Sequence, residues 1–205
     1  LAVEGKYFDR EILPVQAKNA EGKSDMIFVD EGIRYDASLE ALAGLKTCTE
    51  GGVITAGNAS QITAGAAAVM VCNDAGLKKI KTDPRARIVA ISVVGDDPIM
   101  MLGGPIPASH KVLNAAGLNI DDIDLYEVNE AFAPVPLSWA IELKADKDKL
   151  NVNGGAMALG HPLGATGAKL MTTLLHELER RNAKFGLQAI CEGGGTANAT
   201  IIERI

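Results

Sequence analysis

The chain has 205 residues, a formal net charge of -6, a pI near 5.1, and 47% hydrophobic and 22% charged residues. This composition is typical of a soluble globular protein of one or two domains. An acidic chain offers no electrostatic footprint for nucleic acid or an anionic membrane, and no apolar run is long enough for a membrane span, so we expect neither partner.

Cysteine usage predicts the compartment. Cys48, Cys72 and Cys191 are an odd number without the paired spacing of metal ligands. They indicate reduced thiols in the cytoplasm rather than a disulfide framework, and no metal site. We expect no signal peptide. The chain begins with Leu1 rather than methionine, which indicates a processed or partial product.

Residues 1 to about 50 are predicted to be irregular, and short elements are expected over the first 85 residues. These are a strand-like piece over residues 11–15, a strand over 26–29, a turn over 30–34, and a short helix packed on Leu39, Leu42 and Leu45. They continue with a small-residue helix over 61–68, a buried strand over 67–71, and a helix from its cap Asp74 to Ile80, ended by residues 82–84.

From Ala86 onward the pattern alternates between strands and helices, which predicts an α/β domain with a mixed sheet. The strands are expected over residues 87–94 (apolar enough to be covered on both faces), 123–128, 187–191 and 199–204. The helices are expected over residues 105–116, ended by Gly117, over 131–143, with Pro134 and Pro136 in the first turn, and from near Ala165 onward.

A glycine-rich loop over residues 151–167 surrounds His161. Glycine permits positive φ and close approach, so the loop is typical of a sharp turn that presents a catalytic base or an oxyanion donor. Asn129 and Cys191 each end a predicted strand, where active groups gather in α/β sheets. Three glycines follow Cys191, and their N–H groups are expected to stabilise its thiolate.

Each of these signals alone also fits a structural role. A strand cysteine is commonly a small buried hydrophobe, and an Asn-Glu pair commonly caps a helix. His110 and His176 are interpreted as structural. The loop over residues 160–167 lacks the glycine spacing of a dinucleotide site, and no stretch matches a P-loop.

Taken together, four motifs resemble the thiolase family, and the match runs from about Gly5 to the C-terminus. They are Ala56-Gly-Asn-Ala-Ser60, Asn129-Glu-Ala-Phe-Ala133, Gly160-His-Pro-Leu-Gly-Ala-Thr-Gly167 and Cys191-Glu-Gly-Gly-Gly195. The resemblance implies the thiolase fold, in which two similar halves form αβαβα layers. Residues 1–50 would end the loop domain, 51–85 would be the last elements of the N-terminal half, and 86–205 would be the C-terminal domain.

The resemblance also implies residue roles. His161 would activate the nucleophilic cysteine and help bind the thioester oxygen. Asn129 would hold the water that completes this oxyanion hole, and Gly193 would contribute to a second one. Cys191 would exchange a proton with the substrate α-carbon or with the departing thiolate. Coenzyme A, as a substrate and not a permanently bound cofactor, would contact Ser60 through its pantetheine arm and Arg34 through its adenine nucleotide, and Phe132 and Met157 would line the thioester pocket.

Two departures accompany the resemblance. The family's acyl-accepting cysteine lies in the first half, and neither Cys48 nor Cys72 has its sequence context. Gln61 follows Ser60 where many relatives have glycine.

We therefore interpret the chain as the C-terminal part of an acetyl-CoA C-acyltransferase of fatty acid and lipid metabolism. A missing half or companion chain would supply the nucleophile, and complete units would form homodimers or homotetramers. The alternatives are a non-catalytic CoA-binding subunit and a related condensing enzyme such as a ketoacyl synthase. The motif that begins at Cys191 disfavours the latter.

Overall fold

The computed structural model describes residues 1–205, in six strands and six α-helices. The strands are β1 (Val15–Lys18), β2 (Ser24–Ile27), β3 (Ala86–Gly95), β4 (Leu125–Val128), β5 (Phe185–Glu192) and β6 (Thr196–Arg204). The helices are α1 (Leu39–Ala43), α2 (Asp74–Ile80), α3 (Pro105–Ala116), α4 (Pro134–Glu142), α5 (Gly155–Leu159) and α6 (Thr166–Arg181), with short 3-10 turns at Ile120–Asp122 and Lys147–Lys149. No helix is long and apolar enough to cross a membrane.

A four-stranded mixed sheet in the order β3-β6-β5-β4 forms the centre of the molecule. β4 runs parallel to β5, and the other two pairs are antiparallel. The larger core cluster contains Val112 of α3, Trp139 of α4 and Leu187 of β5, so these helices cover one face of the sheet. Leu174 of α6 and Leu125 of β4 belong to a second cluster on the other face. These three layers confirm the predicted α/β class.

Proline and glycine set the ends of the predicted helices. Pro105 and Pro134 each begin a helix, where a missing N–H costs nothing. α3 ends at Gly117, which adopts a φ of +66°. α6 begins immediately after Ala165, as expected. α4 is shorter than predicted because residues 131–133 do not join it.

The N-terminal residues form turns that lie on α6. The side chain of Phe8 is buried, the guanidinium of Arg180 lies 3.8 Å from the ring centroid of Tyr7, and Arg10 pairs with Glu179 at 3.3 Å. The strand expected over residues 11–15 is therefore wrong, since the backbone N–H of Glu11 donates to Phe8 within a turn. β1 begins only at Val15 and pairs with β2 in an antiparallel hairpin.

Two predictions between residues 61 and 71 are wrong, because this stretch is neither helix nor strand. Met70 and Val71 are 76% and 70% exposed. A strand requires a neighbour that pairs its N–H and C=O groups, and no strand of this chain lies alongside. The next helix, α2, is capped by the Asn73 side chain rather than by Asp74.

Two predicted apolar surfaces remain partly uncovered. Ile91 and Val93 of β3 are 59% and 62% exposed, so this strand is not covered on both faces as expected. Leu39 of α1 is 81% exposed, whereas the side chains of Leu42 and Leu45 lie against Gly57, so the leucine side of the helix is packed only in part.

Candidate active site

The side chain of Asn129 occupies the centre of the site. Its backbone N–H donates to Ala189 at 2.9 Å, which extends the pairing of β4 with β5 by one residue. Asn129 is fully buried, and its Nδ2 lies 3.3 Å from Nε2 of His161. The parallel strands therefore hold an amide at the edge of the sheet, against the imidazole of the glycine-rich loop.

Backbone geometry that only glycine adopts readily carries His161 to this position. Gly154, Gly155 and Gly160 have φ values of 120°, 65° and 84°. A Cβ on Gly160 would lie 2.6 Å from the side chain of Thr63, so a larger residue would displace the loop. The backbone N–H of His161 donates to Gln61 at 3.0 Å.

The imidazole of His161 is held in its neutral form. Burial, and secondarily the positive charge of Lys169, lower the pKa of His161 below its ordinary value. The ammonium of Lys169 donates to the backbone oxygen of Leu159 at 2.5 Å, which also fixes the loop just before the histidine. Nδ1 of His161 lies 2.6 Å from the hydroxyl of Thr166. A neutral imidazole can accept a proton from a nearby thiol.

Cys191 lies in β5 and pairs with Ala197 of β6. Its side chain is buried, and this burial raises the pKa of the thiol above its ordinary value. The backbone N–H of Cys191 itself and the Asn129 amide oppose that rise, but burial outweighs both. The N–H groups of the three following glycines, expected to stabilise the thiolate, are not among the causes of this pKa shift, and Cys191 rests as a thiol.

The turn between β5 and β6 presents Gly193 to solvent. The Gly193 N–H makes no hydrogen bond within the chain, so it is available to an oxyanion. The carboxylate of Glu192 holds the turn, because it accepts hydrogen bonds from Thr196 at 3.1 Å and from Asn198 at 2.6 Å.

Three of the four residues assigned to coenzyme A lie around this cluster. The backbone N–H of Ser60 donates to Ala131 at 3.1 Å, and Ala59 forms an antiparallel bridge with Phe132. Met157 belongs to α5, immediately before His161 in the loop. Arg34 is exposed and forms no ion pair or side-chain hydrogen bond, so nothing ties it to the site.

Sequence reasoning missed three residues that hold the site together. The sequence around Glu130 fits helix capping, but its carboxylate accepts hydrogen bonds from Asn151 at 2.8 Å and from the Met157 backbone at 2.9 Å. The sequence pattern predicts no individual role for Thr166 or Lys169. The available signal was their position in the first turn of the helix after the loop, where side chains reach back toward preceding residues.

Two family models together match most of the chain. The thiolase C-terminal domain family model matches residues 82–204, and the thiolase N-terminal domain model matches residues 2–75. The steroid 3-ketoacyl-CoA thiolase FadA6 of Mycobacterium tuberculosis is 53% identical over 204 residues, which are 100% of this chain and 49% of that protein. The mitochondrial 3-ketoacyl-CoA thiolase of Mus musculus is 44% identical over 98% of this chain and 51% of its own length.

Solved structures give the same result. The acetyl-CoA acetyltransferase of Bacillus anthracis superposes with a TM-score of 0.95 at 42% identity, over 100% of this chain and 52% of that one. The human mitochondrial 3-ketoacyl-CoA thiolase in complex with CoA superposes with a TM-score of 0.89 at 39% identity, over 100% of this chain and 51% of that one. The chain thus spans about half the length of the relatives it matches. The expected thiolase fold is confirmed, and the chain belongs to the thiolase family.

Proposed function

We propose that this chain is the C-terminal part of an acyltransferase that cleaves 3-ketoacyl-CoA with coenzyme A, or condenses two acyl-CoA molecules in the reverse direction. The observation that carries this proposal is the position of Asn129, whose Nδ2 lies 3.3 Å from Nε2 of His161 and whose amide lowers the pKa of the Cys191 thiol. One buried amide thus acts on both a neutral base and a protonated thiol.

His161 acts as the first base. Its lowered pKa keeps Nε2 able to take the proton of a nucleophilic cysteine. That cysteine belongs to an N-terminal half or companion chain, since Cys48 and Cys72 are exposed and lie outside the site motifs. Once protonated, Nε2 becomes a donor to the thioester oxygen, which stabilises the charge that develops there.

Cys191 acts as the acid in the cleavage direction. The supplied thiolate attacks the 3-keto carbon, the bond between C2 and C3 breaks, and its electron pair forms the enolate of acetyl-CoA. The Cys191 thiol protonates C2, and this role suits a thiol whose pKa is raised by burial. The incoming CoA thiol then returns a proton to Cys191 and attacks the acyl-enzyme thioester, which releases acyl-CoA and the supplied cysteine.

The oxyanion and coenzyme A contacts follow from the surrounding backbone. Oδ1 of Asn129 is buried without a protein partner, so it can accept a hydrogen bond from a water that completes the first oxyanion hole. The unpaired N–H of Gly193 serves the second. Ser60 contacts the pantetheine arm and Phe132 and Met157 line the thioester pocket, while Arg34 is assigned to the adenine nucleotide by family resemblance alone.

The rest of the protein completes the assembly. We divide the chain into the end of a loop domain (1–50), the last elements of an N-terminal half (51–85) and the C-terminal domain (86–205). The separate family matches over residues 2–75 and 82–204 support a boundary near residue 80. A groove of about 940 Å³, lined in part by Phe28, Pro162 and Lys169, leaves room for a companion segment. Complete units are proposed to form homodimers or homotetramers, and the free thiols suit a reducing compartment such as the cytoplasm.

Turnover in the complete assembly tests these roles. This chain is combined with the half that carries the nucleophilic cysteine, and acetoacetyl-CoA cleavage by CoA is measured. His161→Ala and Cys191→Ala are each expected to lower kcat by about 10²-fold or more, because each removes a proton-transfer group. The matched controls, His110→Ala and Cys72→Ala at exposed positions, are expected to retain the wild-type rate.

Two outcomes would change the proposal. Near-normal rates for either site variant would refute its assigned role. If the wild-type assembly binds CoA in calorimetry but never turns over, the alternative holds, and the protein is a thiolase-like binding subunit. A denaturing mass spectrum of purified native material identifies the companion chain directly.

A further inference from the structure

One buried hydroxyl lies between the site histidine and the backbone. Thr166 is the first residue of α6 and is 1% exposed. Its Oγ1 lies 2.6 Å from Nδ1 of His161 and 3.0 Å from the carbonyl oxygen of Pro162. The hydroxyl therefore acts on the reaction only through the imidazole.

Counting protons on these three groups assigns the tautomer of His161. The hydroxyl of Thr166 has a single proton, and its contact with the carbonyl oxygen of Pro162 at 3.0 Å uses that proton, because a carbonyl oxygen can only accept. The hydroxyl oxygen then faces Nδ1 as an acceptor, and Nδ1 must carry the ring proton. Because a neutral imidazole carries one ring proton, Nε2 is left with a lone pair.

The opposite side of the ring requires the same assignment. Nε2 faces Nδ2 of Asn129 at 3.3 Å, and an amide nitrogen is a donor only. A proton on Nε2 would set two donors against each other in a buried site.

We propose that Thr166 is a positioning residue that holds His161 in the Nδ1–H tautomer, so that Nε2 is the only proton acceptor of the ring. The tautomer itself follows from contacts within this chain. Its consequence for turnover rests on the proposed thiolase function.

A simpler role for Thr166 is local. Hydroxyl side chains in the first turn of a helix commonly bond to a nearby backbone carbonyl, and this bond alone stabilises the turn. In that case the loss of the hydroxyl would lower stability but leave the ring proton where it is. The two roles therefore differ in what happens to the ring proton when the hydroxyl is removed.

Nuclear magnetic resonance of the side-chain nitrogens separates them. The 205-residue chain has three histidines, so their ring signals can be resolved in a ¹⁵N-labelled sample at about pH 7.5, above the ordinary histidine pKa. His176 is an internal standard, because its Nδ1 lies 2.8 Å from the carbonyl oxygen of Thr172 and must be protonated there. Fluorescence of the single tryptophan, Trp139, reports whether each variant is folded.

The wild type and Thr166→Ser, which keeps the hydroxyl, are expected to show the Nδ1–H signature at His161. Thr166→Val keeps the shape but removes the acceptor, and is expected to shift His161 toward Nε2–H while His176 is unchanged. An Nε2–H signature in the wild type overturns the proposal, whether or not the valine variant folds. An unchanged tautomer in a folded Thr166→Val variant overturns it as well.

Turnover measurements separate the positioning role of Thr166 from the proposed thiolase function. In the complete assembly, Thr166→Val is expected to lower kcat by about 10²-fold with KM little changed, and Thr166→Ser to restore it. A wild-type assembly without any turnover would refute the proposed function and leave the tautomer assignment to the spectra. An active assembly with wild-type kcat in Thr166→Val would refute the positioning role alone.

Discussion

The carboxylate of Glu130 accepts a hydrogen bond from the backbone N–H of Met157 at 2.9 Å, across the mouth of the glycine-rich loop. Its other oxygen accepts from Asn151 at 2.8 Å. Glu130 lies next to Asn129, so the residue after the central amide is the anchor for the loop that carries His161. A Cβ on Gly155 would lie 2.5 Å from this carboxylate, so a residue with a side chain does not fit at this point of the loop.

Replacing Glu130 by Gln is expected to destabilise the fold by about 1–3 kcal/mol, because one buried donor would then face the new amide N–H₂. Urea denaturation followed by Trp139 fluorescence measures the change. Glu142→Gln removes the same charge from an exposed position on α4 and is expected to stay within about 0.5 kcal/mol of the wild type. Equal stabilities for the two variants would contradict the anchoring role.

The side chain of Gln61 ties the N-terminal portion to the loop. Its Nε2 donates to the backbone oxygen of Gly32 at 2.8 Å, while its own backbone oxygen accepts the N–H of His161. Gln61→Ala removes only the first of these bonds. The loss of a hydrogen bond worth about 1 kcal/mol is expected to make amide exchange around Gly32 roughly fivefold faster. Hydrogen–deuterium exchange over residues 28–34 measures it.

Gln16→Ala, at an exposed position in β1, is the matched control for that experiment and should leave exchange over residues 28–34 unchanged. If the Gln61 variant exchanges at the wild-type rate, its side chain does not restrain the N-terminal portion.

The pH dependence of stability is expected to depend on Glu11. Burial raises the pKa of Glu11 to about 7, against an opposing hydrogen bond from Thr173 and further effects from the charges of Glu177 and Lys169. Since the folded state holds this proton more tightly than the unfolded state, the contribution to stability is greatest below pH 4.5 and is lost as the pH rises to about 7.

Glu11→Gln abolishes that titration and keeps an acceptor for Thr173. As the pH rises from 5 to 8, the free energy of unfolding of the variant is expected to increase by about 2 kcal/mol relative to that of the wild type. This figure includes a discount for the partial exposure of Glu11. Chemical denaturation at the two pH values measures the difference, with Glu142→Gln as the exposed control. A pH-independent difference would show that Glu11 titrates normally.

The indole N–H of Trp139 donates to the hydroxyl of Ser109 at 2.8 Å, and both residues are fully buried. Ser109→Ala is expected to cost about 1–3 kcal/mol, because the N–H would remain buried without an acceptor. The exposed Ser138→Ala on the same helix as Trp139 is expected to change stability by no more than about 0.5 kcal/mol. Thermal denaturation compares the two, and equal melting temperatures would refute the contribution of this bond.

Local chemistry explains which elements could be predicted. Pro105 and Gly117 bound α3 because proline fixes its own φ and glycine alone adopts a positive φ readily, and this holds regardless of the rest of the chain. Two of the failed predictions lie over residues 61–71, where an apolar run has the composition of a buried strand. Whether such a run becomes a strand depends on a neighbour elsewhere, and composition does not contain that information.

The site divides in the same way. The amino-acid sequence alone identified Asn129, His161 and Cys191 as candidates and, through its four motifs, the thiolase family, because strand ends and glycine loops are local patterns. Only the tertiary structure decided that the Asn129 amide lies 3.3 Å from the imidazole of His161, and that Glu130, Thr166 and Lys169 hold the loop. It also decided that Cys191 rests as a thiol, because a pKa depends on burial and on neighbours that are distant in the sequence.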